Sequence, residues 1–278
     1  LKTERKRFYM VLVFNIGNTN ISVGVFEGNS LALHFKIRTN ISYTEDQYYA
    51  VIHTLLDKEG ISETDFEGAV IGSVVPAITH IFEHMLRKYF RLRPVEIAGS
   101  RLNVKNKYKN KGEVGDDRLA NAVGARHFFG KRDMVIIDFG TGITLDVVNK
   151  KGEYLGGVIM PGLNLSLHGL FSKTAKLPQV KLKYPDHVLG NTTETSIQSG
   201  LLNGLTGAIN HLIKGIKSEI KAKKIKVIMT GGDADMIPVE EISEKDVVID
   251  KNFTLRGFKL IYDLNSAGSA VKAKKEKD

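Results

Sequence analysis

The sequence predicts an α/β protein of two similar domains facing one another across a central cleft. Two stretches carry that expectation. Val11 to Val25 reads as strand, tight turn, strand: an apolar run ends at Asn15, Gly17 and Asn18 supply the turn, and alternation resumes through Ile21, Val23 and Val25. The pattern returns at Val135 to Val148, where Asp138 matches Asn15, Gly140 matches Gly17 and Thr141 matches Asn18. A glycine turn alone marks any β-hairpin. Here the polar residue, the spacing and the β-rich run that follows all recur, which marks a duplication with both turns lining the cleft. Backbone N–H groups and the hydroxyls of Thr19 and Ser22 at such a tip can surround a phosphate with no bulky side chain in the way.

With 278 residues the chain is long enough for two domains of ordinary size or one large one. Hydrophobic residues at 42% and charged residues at 26% are usual for a soluble globular protein. No apolar run approaches the roughly 20 residues of a membrane span. The charged start, Lys2 to Arg7, is followed by no signal-peptide apolar region. No membrane partner is therefore expected, and the expected location is cytoplasmic. Cysteine is absent, which excludes disulfides, thiolate catalysis and zinc–cysteine sites. The net charge of +9 gathers in the tail (Lys272, Lys274, Lys275, Lys277) and in one loop (Lys105, Lys107, Lys109, Lys111). These read as solvated lysines and not as a nucleic-acid surface, although a basic loop beside the cleft would attract an anionic nucleotide or acid.

After the first hairpin, Leu31 to Arg38 alternates as a third strand. Ser42 to Asp46 starts a helix with Val51, Ile52, Leu55 and Leu56 as its stripe. Ala69 to Pro76 is a buried strand running into a proline-started helix, and Val95 to Ile97 is a short strand. Three strands, helix, strand, helix, strand is the order of a ribonuclease-H-like domain, completed by the helix that Gly115 to Arg118 opens. Residues 98–115 form a basic loop with one tyrosine, Tyr108. Asp116 is accounted for as a helix cap, whereas the helix dipole disfavours Arg118 in a first turn. In the second half, Gly152 to Val158 turns into a third strand and Met160 to Leu163 leads a helix. Thr192 caps a long helix whose Gly200, Gly204 and Gly207 imply a closely approaching neighbour, since each costs about 1 kcal/mol relative to alanine. Lys226 to Gly232 is a strand ending in a Gly-Gly turn that could lie flat against adenine or ribose. The expected domains are 10–130 and 131–265, with 1–9 and 266–278 as flexible basic ends.

These residues together resemble the type III pantothenate kinases, members of the acetate and sugar kinase and actin-like ATPase superfamily. The resemblance runs from about Met10 to Asp263 and rests on Asn15 to Asn20, Ser73 to Pro76, Glu113 to Arg118, Asp138 to Thr141 and Gly156 to Gly162, with Ala175 to Pro178, Gln198 to Gly200 and Thr230 to Gly232 adding to it. It implies two duplicated ribonuclease-H-like, actin-like ATPase domains. It also implies a transferase that phosphorylates pantothenate with ATP and Mg2+ or another divalent metal, the first step toward coenzyme A, assisted by K+ or NH4+ in a homodimer.

The resemblance gives the ATP phosphates to the first turn: Asn15, Ile16, Gly17, Asn18, Thr19, Asn20, Ile21 and Ser22. Thr141, Gly231 and Gly232 would also meet ATP. Asp117 would be the base, Arg118 would hold developing charge, and Asp138 would bind the monovalent cation. Tyr108, Gly115, Asp116, Asp117, Arg118 and Thr193 would line the pantothenate pocket. Three departures from the family stand out: Asn15 replaces Asp, Asp116 replaces Ala, and Gly142-Ile143 replaces Ala-Thr. An amide at position 15 removes one negative charge from the metal's surroundings. The alternative expectations are a weak or inactive relative that binds nucleotide or pantothenate as a regulator, and a kinase of another small hydroxy acid.

Overall fold

The computed structural model describes residues 10–174 and 177–275, with side chains described as far as 266. The expectations for residues 1–9 and 276–278, and Ala175-Lys176 of the family signature, lie outside the described residues. In chain order the elements are β1 (Met10–Ile16), β2 (Asn20–Glu27), β3 (Ser30–Arg38), α1 (Glu45–Lys58), β4 (Phe66–Ser73), α2 (Pro76–Met85), β5 (Val95–Glu96), β6 (Lys105–Asn106) and α3 (Asp116–Phe129). There follow β7 (Met134–Phe139), β8 (Gly142–Val148), β9 (Glu153–Pro161), α4 (Leu163–Lys173), α5 (Thr193–Glu219), β10 (Lys226–Thr230), β11 (Val247–Ile249) and α6 (Phe253–Lys275).

The first sheet has the order β3-β2-β1-β4-β5 and the second β11-β10-β7-β8-β9-β6. Read from the third strand of each unit, the orders coincide. Three antiparallel strands are followed by two parallel ones, and the extra strand β6 pairs with β9. The duplication expected from the two hairpins is thus a duplication of whole sheets. The chain divides into two compact units, one of residues 1–102, 112–124 and 254–278, the other of 103–111 and 125–253.

In the first unit, strand alternation sorts side chains to two faces. Leu12, Phe14, Ile16, Ala69 and Ile71 face α1 and α2, meeting Tyr48, Ile52, Ile78 and Phe82 in one core. Val11, Val13 and Val70 point the other way and are also buried, because α6 covers that face. The cover is close: a Cβ on Gly68 would lie 2.1 Å from the Tyr262 hydroxyl, and one on Gly72 would lie 2.0 Å from the Phe258 ring. These contacts place residues 254–265 with the first unit, although the sequence reading gave them to the second domain. The final helix also runs through Lys275, where the sequence suggested a frayed tail from 266.

The second unit packs α5 on the Val135, Ile137, Leu145, Val227 face of its sheet through Ile209 and Ile213. Thr192 caps α5 as expected, accepting from the Thr195 N–H. The three helix glycines depart from expectation. Nothing within the described residues lies within 4 Å of a Cβ built on Gly200, Gly204 or Gly207.

One polar clamp gives a pH prediction. Glu63 Oε1 accepts from the Tyr49 hydroxyl at 2.9 Å and pairs with His53 Nδ1 at 2.7 Å, tying α1 to the turn before β4. Burial pushes the Glu63 carboxyl up, but its own backbone N–H, Tyr49 and His53 outweigh that and hold it below its ordinary value of 4.5. Burial and then the Glu63 carboxylate push the Tyr49 hydroxyl up to about 12. A carboxyl depressed in the folded state stabilises above its unfolded pKa and loses that contribution as pH falls through the folded value. The melting temperature of wild type should fall as pH drops from about 5 toward 3, and Glu63→Gln should flatten this acid limb. Parallel acid limbs would exclude the clamp.

Candidate active site

In the first unit β1 stops where the chain must reverse into β2. The Gly17 N–H donates to the Asn20 carbonyl at 3.1 Å, and a Cβ at Gly17 would approach that oxygen to 3.0 Å. Ile16 and Ile21 are buried in the core, so only their backbone reaches the turn. Asn18 and Asn20 are exposed, while Asn15, Gly17, Thr19 and Ser22 are half-buried. Asn15 and Ser22 are cross-strand partners and therefore share a face. A residue missed in the sequence holds the loop in place. The Thr39 hydroxyl donates to the Gly17 carbonyl at 2.6 Å, and the Thr39 N–H donates to the Thr19 carbonyl at 3.1 Å. Its only signal was a hydroxyl just after an edge strand, which is too common to single out.

The start of α3 belongs to the same unit. Asp116 is tied to a different element from its own helix. Its Oδ2 accepts the Ser73 N–H, at the end of β4, at 2.9 Å. Burial pushes the Asp116 carboxyl above its ordinary value, opposed by that N–H. Asp117 Oδ1 lies 2.7 Å from the Arg118 N–H, and a Cβ at Gly115 would sit 2.7 Å from the same oxygen, so glycine is what lets this carboxylate fold back over the turn. Arg118 is 6% exposed. A guanidinium buried in a first helical turn opposes the dipole, which favours a role in holding an anion.

In the second unit Asp138 is the penultimate residue of β7, beside Thr230 of β10 and Thr144 of β8. Gly231 has φ +94°, and a Cβ there would fall 2.5 Å from Asp138 Oδ1 and 2.6 Å from the Phe139 carbonyl. Bare backbone is therefore required against that carboxylate. Backbone contacts buttress the second turn. The Gly162 N–H donates to the Thr141 carbonyl at 2.9 Å, bringing the N-terminus of α4 against the turn. The alignment of helix amides there suits an anion. Gly232 is exposed beyond Gly231, and the next residue, Asp233, donates its N–H to the Phe139 carbonyl at 3.3 Å.

Tyr108 follows β6 and lays its ring on Gly156, where a Cβ would come within 3.2 Å. Thr193, the first residue of α5, opens onto a cavity of about 800 Å3 lined also by Leu170, Leu177, Ser196 and Gly200. Among the described residues no group of three or more His, Cys, Asp or Glu side chains is arranged to hold a metal ion. None of their helices is long and apolar enough to cross a membrane.

A family model described as type III pantothenate kinase matches residues 11–215. A solved structure described as a conserved putative Baf family transcriptional activator from Campylobacter jejuni is 21% identical, with 91% of this chain and 97% of that one covered and a TM-score of 0.53. A ROK family glucokinase from Streptomyces griseus, in complex with glucose and AMPPNP, is 15% identical, with 91% and 99% covered and a TM-score of 0.51. At those identities the two structures establish a shared fold, which is that of the actin-like ATPase sugar kinases.

Proposed function

Because this chain belongs to the type III pantothenate kinase family, we propose that it transfers the γ-phosphate of ATP to the hydroxyl of pantothenate, the entry step of coenzyme A synthesis, in the cytoplasm. The observation that carries this reading is the family match over residues 11–215. The duplicated turns, each with a glycine close against its own backbone, agree with it.

Each residue group has a physical task. The backbone N–H groups and hydroxyls from Asn15 to Ser22 hold phosphate oxygens on a loop fixed by Thr39. Thr141 offers a second phosphate contact, and Gly231 and Gly232 lie against the nucleoside. Asp117 accepts the pantothenate hydroxyl proton and orients its oxygen. Arg118 neutralises charge developing on the transferred group. Positioning and charge neutralisation are the main sources of rate in phosphoryl transfer. Tyr108, Gly115, Asp116 and Thr193 are assigned to pantothenate.

A divalent metal would neutralise phosphate charge, and Mg2+ needs only one or two carboxylates beside phosphate oxygens and water. The half-buried Asp116 fits that donor set, although no protein cage is present among the described residues. Asp138 would hold K+ or NH4+. A homodimer is supported by the second unit's apolar surface. Leu165 is 52%, Phe171 45% and Leu189 88% exposed.

A coupled ATP assay with pantothenate, Mg2+ and K+ tests the reading on wild type and Asn15→Asp. Turnover by both is expected, dependent on K+ or NH4+ and faster with Asp at position 15. Turnover by Asn15→Asp alone would make the natural chain a binder with a disarmed site. Absence of turnover in both, with folded protein and bound ATP, would remove the pantothenate kinase reading.

A further inference from the structure

The two turns are not chemically equal. At the matching strand-end position the second unit carries the carboxylate of Asp138 and the first unit the neutral amide of Asn15. In the first unit a carboxylate reaches the same strand end from a different element. Asn15 lies opposite Gly72 and Ile16 opposite Ser73 in the parallel pairing of β1 with β4. The Val74 N–H continues that pairing to the Ile16 carbonyl at 3.0 Å. Asp116 Oδ2 accepts the N–H of that same Ser73.

The faces agree as well as the ends. Ile16 and Ile71 point into the α1–α2 core, so Asn15 and Gly72 point to the opposite face. That face carries α6, whose Phe258 meets Gly72, and α6 touches α3 where Gly257 meets Ala120. Asn15 and the N-terminus of α3 thus share one face at one end of one sheet. Across a strand spacing of about 4.8 Å, the Asp116 carboxylate is no more than about 10 Å from Asn15 Cα.

The carboxylate is held but not consumed. Among the described residues Oδ2 is committed to Ser73, while Oδ1 has no protein partner and is not among the buried atoms. The anchor is firm, because the Ser73 hydroxyl accepts from the Val75 N–H at 3.1 Å and from the Thr79 hydroxyl at 2.8 Å.

We propose that Asp116 supplies, from the start of α3, the carboxylate that the first turn lacks at Asn15, so that its Oδ1 meets the divalent cation of a metal–nucleotide complex. This assignment rests on the kinase reading and replaces the pantothenate role given to Asp116. An amide at position 15 is then a relocation of one negative charge from strand to helix.

The test is Mn2+ binding by the full chain in the presence of ADP, followed by the electron-spin resonance of free Mn2+. Asp116→Asn keeps an oxygen that can accept from the Ser73 N–H, so it removes charge and leaves the anchor. It should weaken Mn2+ binding at least about tenfold, the size of one contact to a charged group. ADP affinity in EDTA should not change. Adding Asn15→Asp to that variant should restore Mn2+ binding. If Asp116→Asn does not fold, Asp116→Ser is used for the same comparison. Unchanged Mn2+ affinity, or no rescue by Asn15→Asp, overturns the assignment and leaves the kinase reading intact. A wild-type chain that binds neither ADP nor Mn2+ would instead overturn the kinase reading, and this assignment with it.

Discussion

Asp117→Asn should lower kcat for pantothenate phosphorylation by about 10²- to 10⁴-fold, the range for removing a general base, while ATP affinity stays within about threefold. The substitution is close to isosteric. Its remaining oxygen can still accept the Arg118 N–H that lies 2.7 Å from Asp117 Oδ1, so the turn over Gly115 should persist. What is lost is the ability to take a proton and to orient the hydroxyl by charge. Initial rates at saturating ATP and pantothenate, beside nucleotide affinity by calorimetry, give the answer. A fall in kcat below about threefold would remove Asp117 from the role of base. The neighbouring carboxylate should behave in the opposite way, since Asp116→Asn is expected to act on metal affinity first.

Gly257→Ala should be the most damaging single methyl in the first unit. Alanine raises helix propensity by up to about 1 kcal/mol over glycine, so an open site would be stabilised. Here the new Cβ would lie 2.1 Å from the Ala120 carbonyl oxygen and 2.6 Å from its carbon. Both are backbone atoms of α3 and cannot rotate away, so α6 must shift off α3 and off the sheet. Overpacking of this kind costs about 3 kcal/mol, which lowers Tm by roughly 5–10 °C. Gly215→Ala on α5, where nothing among the described residues lies within 4 Å of the new Cβ, is the control and should hold or raise Tm. Equal melting of the two variants would show that the α3–α6 approach is not tight in solution.

Much of this architecture was legible locally. Each hairpin combines period-two alternation with a glycine turn, and the two copies reinforce one another. Thr192 announced α5 by a side-chain cap one residue ahead of it. What stayed hidden depends on contacts distant in sequence. The α6 residues that cover the first sheet lie far from β1 and β4, and their trace in the strand is what is missing: Gly68 and Gly72 stand where Tyr262 and Phe258 arrive. Glycine also misled, because Gly200, Gly204 and Gly207 suggested a close neighbour and instead face open space within the described residues. At the candidate site the sequence marked which residues carry chemistry but not who holds them. Asp116 looked like a cap for its own helix and in fact bonds a different element.

The discontinuity of the first unit has a consequence for how the protein is made. Its sheet is complete once residue 96 has emerged from the ribosome, but one face must wait for Leu255, Phe258 and Tyr262. Roughly 130 further residues of the second unit are translated between Gly124 and Thr254, a delay of about 6–26 s at about 5–20 residues per second. During that interval Val11, Val13 and Val70 have no cover from α6, while the later sheet gains its last strand, β11, at Ile249, before any of the α6 residues that cover them are made. The half of the molecule synthesised last in bulk is therefore the first able to finish folding, and the earlier half ripens only when its closing helix is delivered.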